Sequence, residues 1–248
     1  MSKQRLYVEG YGRGVPTDDR VAKVLQLASA LTAEKLLDIG CGDGSMSLAL
    51  KKAIGAKEVF GVEISPEGAQ EARRNNIVCF QMDVDEGPLP FDDSFIDVIY
   101  AGEIVEHLYD PDHLVDEIFR VLNPRGVAII DTPNLAWWAD RLSLVLGYQP
   151  QATEPSLRCG SAGKLFTSSI AGGGGHLRIW TSRAFKQLLR LHGFNIRAFV
   201  GAGGKATMPS ALPAPLGVAY LAINRVLCRF PSLAQFMIAV VDKSQRRS

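Results

Sequence analysis

The sequence has few cysteines and no pairing pattern among them. Its four are Cys41, Cys79, Cys159 and Cys228, and no two form a Cys-x-x-Cys pair. No histidine lies at zinc-finger spacing from them, and the cysteine triplet of an iron–sulfur site is missing. The sequence therefore predicts four reduced thiols and excludes a disulfide-rich domain, a zinc finger and an iron–sulfur protein.

Long apolar runs and an excess of charge of one sign are also missing. The most apolar segment, residues 211–223, contains two prolines and is shorter than the about 20 apolar residues of a membrane span. No apolar run follows the N-terminal segment MSKQRLYVEGYGRG, so we expect no secretory signal. The formal net charge is +1, which leaves no broad basic surface for a phosphate backbone. We expect a cytoplasmic protein with no nucleic-acid partner.

Short apolar runs alternate with segments of helical periodicity along most of the chain. Strands are predicted at residues 35–40, 59–64, 78–84, 95–101, 127–131, 194–200 and 236–241. Helices are predicted at residues 18–31, 45–54, 66–75, 112–122 and 181–192. This alternation is typical of right-handed βαβ units. We expect one α/β domain over residues 1–248, with a doubly wound, mostly parallel, seven-stranded Rossmann-like sheet and late insertions at about 135–180 and 201–234.

A glycine-rich turn, LLDIGCGDG, follows the first predicted strand, at the place where a doubly wound sheet binds its ligand. The dinucleotide fingerprint needs glycine at the sixth position counted from Gly40, but that position is Ser45, and the third glycine is Gly44. Asp38 and Asp43 would repel a pyrophosphate and attract a ligand with an amino group and a positive sulfonium. The loop therefore favours S-adenosylmethionine over a dinucleotide.

Carboxylates also end the second and third predicted strands. Glu63 lies 19 residues after Gly44, where an acid accepts hydrogen bonds from ribose hydroxyls. The third strand ends at Met82-Asp83-Val84, and we expect Asp83 to accept from an adenine amino group. Each acid alone is typical of a solvated strand end. Acids at the ends of three successive strands predict a cofactor site.

These segments resemble the motifs of the class I S-adenosylmethionine-dependent methyltransferase family. LLDIGCGDG is similar to the first motif, VFGVEIS to the second and FQMDV to the third, and residues 95–134 are similar to the central block. The resemblance implies S-adenosylmethionine as cofactor and an antiparallel last strand in the sheet. It carries over as cofactor-binding positions Asp38, Gly40, Gly42, Gly44, Glu63, Asp83 and Val84.

The segment after the fourth predicted strand contains Glu103, Glu106 and His107. We expect His107 to be the general base for an acceptor hydroxyl, because its pKa range suits that role. The alternative is a structural histidine before the turn at residues 110–111. The segment also resembles the Glu-x-x-Glu-His segment of the ubiquinone-biosynthesis O-methyltransferases, in which the matching residues hold a divalent ion. Similar segments occur in methyltransferases without metal, and we expect no metal site.

The first insertion and the residue before it carry the candidates for acceptor binding. Asn134 and Trp137 lie at the start of this insertion, and the indoles of Trp137 and Trp138 either form an apolar or sugar-stacking wall or pack the insertion on the domain. His176 and Arg178 are candidate acceptor contacts.

Two segments are candidates for closure over the site. The glycine run 172–175 predicts either a closing lid or a loop tip. Tyr7 and Tyr11 are expected to fold over the cofactor.

The acceptor is predicted from a further resemblance. The segment HLRIWT, the helix after it and residues 230–233 are similar to methyltransferases associated with cell-surface glycans, polysaccharides and lipids. The apolar segment 211–230 either contacts a membrane surface, receives a lipid acceptor or packs as an ordinary helix. We expect O-methylation of a hydroxyl on a glycan, lipid-linked or isoprenoid acceptor.

Several other functions were weighed. A quinone-like phenol or a protein side chain as acceptor stays open, as does a protein that binds the cofactor without turnover. A dehydrogenase of related fold is disfavoured because no tyrosine has a lysine four residues later. Base N-methylation is disfavoured because AGEI, residues 101–104, replaces the Asn/Asp-Pro-Pro-aromatic segment of such enzymes.

Overall fold

One seven-stranded sheet organises the chain in the computed structural model, which describes residues 14–156, 158–165, 175–204 and 214–243. The strands are β1 (Lys35–Ile39), β2 (Glu58–Glu63), β3 (Val78–Gln81), β4 (Ile96–Gly102), β5 (Leu122–Pro133), β6 (Phe194–Ala202) and β7 (Phe236–Lys243). Their order is β3-β2-β1-β4-β5-β7-β6. The first five pair in parallel, and β7 is antiparallel to both β5 and β6. The predicted mostly parallel sheet with an antiparallel last strand is confirmed.

Helices cover both faces of the sheet. The described α-helices are α1 (Asp19–Ala28), α2 (Ser45–Ile54), α3 (Pro66–Arg74), α4 (Pro111–Val121), α5 (Trp138–Val145), α6 (Ser182–Leu191) and α7 (Ala214–Leu227). Capping side chains set their starts: Asp18 accepts from the amide of Val21 at 2.9 Å, and Thr181 caps α6 in the same way. Helix α5 was not predicted, whereas α7 lies in a segment for which a helix was one alternative.

Two apolar cores lie on opposite faces of the sheet. Because side chains alternate along a strand, Leu36 and Leu37 of β1 enter different cores. Leu37 packs with residues of β4, α4 and α6, and Leu36 packs with residues of α1, α2 and α3. Burial on both faces explains why the parallel strands are nearly continuous apolar runs.

Two predicted strands, the third and the fifth, have limits that differ from those observed by three residues or more. The third strand ends at Gln81 rather than at residue 84, because the chain turns after the amide of Met82 donates to the Glu63 carbonyl at 3.0 Å. The fifth strand begins at Leu122 rather than at residue 127. Leu122 pairs with Ile96, and residues 123–126 then form an irregularity before regular pairing resumes, so this turn-like segment interrupts the strand without ending it.

Some predictions concern segments outside this description. Tyr7, Tyr11 and glycines 172–174 lie beyond the described residues, and their proposed closure over the site stays a prediction. Among the residues that are described, no helix is long and apolar enough to cross a membrane.

Candidate functional site

The glycine loop after β1 forms the floor of the candidate site. Gly40, Gly42 and Gly44 all have positive φ angles, of 77°, 55° and 79°, which side chains with a Cβ adopt at a cost. A Cβ on Gly40 would lie 2.9 Å from the Cδ1 atom of Ile104, so this loop packs directly against the loop after β4. Gly44 is the N-cap of α2, and the first amide of that helix, that of Ser45, donates to Asp43 of the loop at 2.9 Å.

Glu63 joins the ends of β1 and β2. Its side chain is buried, and its two carboxylate oxygens accept from the amides of Gly42 and Ser65, each at 2.8 Å. A carboxylate offers about four acceptor positions, and these bonds occupy two of them. Glu63 therefore fixes the glycine loop and retains capacity for ligand hydroxyls.

Asp38 points into the protein. It is 2% exposed and accepts from the Ser47 hydroxyl at 2.5 Å, which links β1 to α2. Burial raises the pKa of this carboxyl to about 7. Its predicted contact with the cofactor stays a prediction, and its observed contact positions the helix behind the glycine loop.

Asp83 and Val84 lie in the turn after β3, beside the end of β2. Asp83 accepts from the amide of Asp85 at 3.0 Å, and Val84 is buried in the core. Asp85 in turn accepts from the amides of Tyr109 and Asp110, at 3.0 and 3.1 Å. These bonds tie the turn after β3 to the loop that follows β4.

A buried charge network that the sequence analysis missed lies beside the loop after β4. Arg20 of α1 donates to Asp131 of β5 at 2.7 Å and to the hydroxyl of Tyr100 at 3.3 Å, and that hydroxyl donates to Asp131 at 2.9 Å. Two features of the sequence could have indicated this network: Arg20 lies within the apolar stripe of α1, and Asp131 ends the apolar run of the fifth predicted strand. The network fixes α1 across the ends of β4 and β5.

Glu103 lies next to this network with a strained backbone. Its φ angle is 55°, uncommon for a residue other than glycine. Its Oε1 atom and the Nε atom of Arg20 are buried, without hydrogen-bond partners among the described residues. Burial raises the pKa of Glu103 to about 8, while the charge of Arg20 opposes the shift.

His107 ends a short 3₁₀ helix, Val105–His107, on the same edge of the sheet. Its Nε2 atom lies 4.0 Å from the Oε1 atom of the fully buried Glu106, and its ring centroid lies 4.9 Å from that of His176. Burial and His176 lower the pKa of His107 to about 4, below the range on which its role as base was predicted. The imidazole is therefore neutral near pH 7 and free to accept a proton, as a weaker base than an exposed histidine. The structure therefore brings together two histidines that are 69 positions apart in the sequence.

Glu106 lies next to these imidazoles and is bonded to Thr132 of β5. Its Oε2 atom accepts from the Thr132 hydroxyl at 3.0 Å, and its Oε1 atom is buried without a hydrogen-bond partner among the described residues. Burial raises its pKa well above the ordinary range. Ligand atoms of Glu106, His107 and His176 lie within 4.8 Å of one another, a donor set that fits a divalent cation. Glu103, which the motif comparison placed in such a site, is not part of this cluster.

The segment at residues 176–178 is bound to the loop after β4. The amides of Leu177 and Arg178 donate to the Glu106 carbonyl, at 2.7 and 3.1 Å. The Arg178 guanidinium donates twice to the Tyr109 carbonyl, and His176 Nδ1 lies 2.8 Å from the Ala152 carbonyl oxygen. Of the two residues predicted to contact the acceptor, His176 thus lies next to His107, whereas Arg178 binds the loop after β4.

Asn134 and Trp137 connect the two insertions. Asn134 is 1% exposed and donates to the carbonyls of Ala234 and Pro231, at 2.8 and 3.3 Å. Trp137 is 5% exposed, and its indole donates to Asn224 of α7 at 3.1 Å. Both side chains contact protein here, as in the packing alternative, and their contact with an acceptor stays a prediction.

Comparisons with known proteins agree on one family. The family model described as a methyltransferase domain matches residues 15–198. A probable S-adenosylmethionine-dependent methyltransferase of Mycolicibacterium smegmatis is 30% identical over 112 residues, which are 44% of this chain and 42% of that protein. The 27-O-demethylrifamycin SV methyltransferase of Amycolatopsis mediterranei is 32% identical over 117 residues, 44% of this chain and 40% of that one. The match thus spans less than half the length of these relatives.

Other matches are also methyltransferases. The ubiquinone biosynthesis O-methyltransferase of Psychrobacter arcticus is 31% identical over 111 residues, 42% of each chain. Among solved structures, a possible histamine N-methyltransferase from Thermotoga maritima superposes with a TM-score of 0.57 at 18% identity, over 90% of this chain and 89% of that one. A likeness at this identity shows a shared fold.

Proposed function

The chain belongs to the methyltransferase-domain family, and we propose that it transfers the methyl group of S-adenosylmethionine to a hydroxyl oxygen of a glycan, lipid-linked or isoprenoid acceptor. The observation that carries the cofactor assignment is Glu63, held by the amides of Gly42 and Ser65 at the mouth of the glycine loop. The choice of oxygen is supported by relatives named for O-methylation. The acceptor class rests on the motif resemblance in residues 176–181 and 230–233.

Each part of the glycine-loop edge suits one part of this cofactor. The spare acceptor positions of Glu63 suit ribose hydroxyls, and Asp83 suits the adenine amino group. Glycines without a Cβ let a ligand lie against the backbone, and the first amides of α2 suit a carboxylate. When bound, S-adenosylmethionine supplies a methyl group that its positive sulfonium already activates.

Proton removal is the chemical task left to the protein. We assign it to His107, whose ring lies on the carboxyl edge of the sheet, between Glu106 and His176. His107 would take the proton of the acceptor hydroxyl, whose oxygen would receive the methyl group that bound S-adenosylmethionine supplies. The protein must otherwise align the acceptor hydroxyl with the methyl group and exclude water, so few reactive residues are needed.

The proposal is tested by transfer of labelled methyl from S-adenosylmethionine into fractionated host extract. Label in the lipid or glycan pool is the expected result. Label confined to small phenols or to protein would support the alternative acceptors, and no label despite cofactor binding would support binding without turnover. His107→Ala should lower transfer at least about 100-fold. The control is His192→Ala, because His192 pairs with Asp112 and Asp116 away from the site.

A second candidate role for the cluster is a divalent cation site. The observation that favours it is the buried, unpartnered Oε1 atom of Glu106 beside two imidazoles. Glu106, His107 and His176 would hold the cation, which would supply Lewis-acid activation of the acceptor oxygen. Activity that is unchanged in excess chelator removes this role and leaves His107 as base. Activity that is lost in chelator and restored by Mg²⁺ or Zn²⁺ establishes it.

A further inference from the structure

The outward face of α7 is apolar, the reverse of an ordinary surface helix. Gly217 and Asn224 face the protein and are buried. The solvent side carries exposed apolar side chains, at fractions of 57%, 64%, 47% and 51% for Leu216, Val218, Ile223 and Val226. Phe230, just beyond the helix, is 56% exposed. No described residue covers this face, and a contiguous apolar patch of this kind marks an interaction site.

The orientation of α7 is fixed by its buried side. Asn224 accepts hydrogen bonds from the indoles of both Trp137 and Trp138, at 3.1 and 2.9 Å. The Trp138 ring also packs against that of Tyr220, with centroids 5.4 Å apart. These contacts hold the apolar face outward. Helix α5, which begins at Trp138, carries the exposed side chains of Leu142, Leu144 and Val145, and the exposed Leu146 follows it.

The exposed charges on the two helices that carry this surface have one sign. Residues 201–241 contain no acidic residue. Arg225 and Arg229 are exposed at the C-terminal end of the apolar face, and Arg141 is exposed on α5. The one acid of α5, Asp140, is 1% exposed. An apolar face bordered by cations matches the interface of an anionic lipid bilayer, which buries apolar side chains and attracts arginine.

We propose that α7, Phe230 and the exposed side chains of α5 form a docking surface for an anionic lipid membrane. The 14-residue α7 would lie in the plane of the interface, with its arginines at the headgroups. A symmetric pair of chains would instead bring two basic surfaces together. The hydrogen bond between Trp137 and Asn224 links this surface to the segment that follows β5. Thr132, which binds Glu106, lies at the end of the same strand.

The test is sedimentation of the full chain with vesicles of phosphatidylglycerol and phosphatidylcholine, or of phosphatidylcholine alone. We expect binding to the anionic vesicles, weakened about tenfold or more by Val218→Glu because a carboxylate would enter the interface. Arg225→Gln and Arg229→Gln should each weaken it about fivefold. The control is Leu191→Glu, on a leucine of α6 that is 74% exposed, and it should leave binding unchanged. Circular dichroism verifies that each variant is folded.

Three results would overturn the proposal. They are no sedimentation of the wild-type chain, equal binding to neutral and anionic vesicles, and dimerisation that Val218→Glu abolishes in the absence of any vesicle binding. The last result would assign the face to self-association. The assay contains neither methyl donor nor acceptor, so failure of the proposed methyl transfer would leave its outcome unaffected.

Discussion

Buried carboxyl groups are concentrated where the strands end. Asp38, Glu103, Glu106 and Asp131 all have pKa values that burial raises above the ordinary range. Such groups lower stability as they ionise, a cost that proteins accept at functional sites more often than elsewhere. The concentration of such groups at this edge of the sheet supports the proposed site independently of any motif.

Asp38→Asn should make stability less dependent on pH. The folded pKa of Asp38 is about 7, above its ordinary value of 3.8, so the unfolded chain loses this proton first. The contribution of Asp38 to wild-type stability therefore falls as pH rises from about 4 to 7. Asparagine can still accept from Ser47 but cannot ionise. The free energy of unfolding of the variant, relative to that of wild type, should therefore be up to about 4 kcal/mol higher at pH 8 than at pH 4.

Urea unfolding of the chain without cofactor, at pH 4 and pH 8, measures this difference. Asp92→Asn, at an exposed position, is the control, and its stability should follow that of wild type at both pH values. A constant difference between Asp38→Asn and wild type at both pH values would show that this carboxyl is not desolvated in the folded chain.

At the scale of elements, side chains at the ends of neighbouring strands contact one another. Strand β4 contributes Tyr100 to the network with Arg20 and Asp131, and Gly102 lies two residues later on the same face. A Cβ on Gly102 would overlap the Tyr100 hydroxyl and lie 2.9 Å from the Asp131 Oδ2 atom. This glycine is required for space rather than for an unusual φ angle.

Gly102→Ala should therefore destabilise the protein by about 1–3 kcal/mol, because the hydroxyl must move out of its bond with Asp131. Thermal unfolding measures the loss. Gly87→Ala is the matched control, since a Cβ there meets no atom within 4 Å, and it should be close to neutral. Equal effects of the two substitutions would mean that the network tolerates the added methyl group.

Elements with local signals were predicted from the sequence, and those set by distant contacts were not. The signals for β1, for β2 and for the start of α1 are local, so these limits were found within a residue or two. The network of Arg20, Tyr100 and Asp131 joins three elements, and the approach of His176 to His107 depends on how an insertion folds back. Helix α5 was missed because its exposed leucines break the periodicity of an ordinary amphipathic helix.

At the scale of the whole molecule, loops from five parallel strands meet at one edge of the sheet. The glycine loop and Glu63 occupy one half of that edge, and Glu106, His107 and His176 occupy the other. The two insertions extend from the second half and carry the apolar surface of α7. Cofactor, chemistry and acceptor are thus assigned to adjoining parts of one edge, as expected for a doubly wound sheet.

The central claim, that Glu63 and the glycine loop bind the methyl donor, is tested most directly by calorimetric titration with S-adenosylhomocysteine. We expect the wild-type chain to bind and Glu63→Ala to bind roughly 10- to 100-fold more weakly, as charged hydrogen bonds are lost. Glu58→Ala, at the exposed start of the same strand, should bind like the wild type. Equal affinity of Glu63→Ala and wild type would contradict the account.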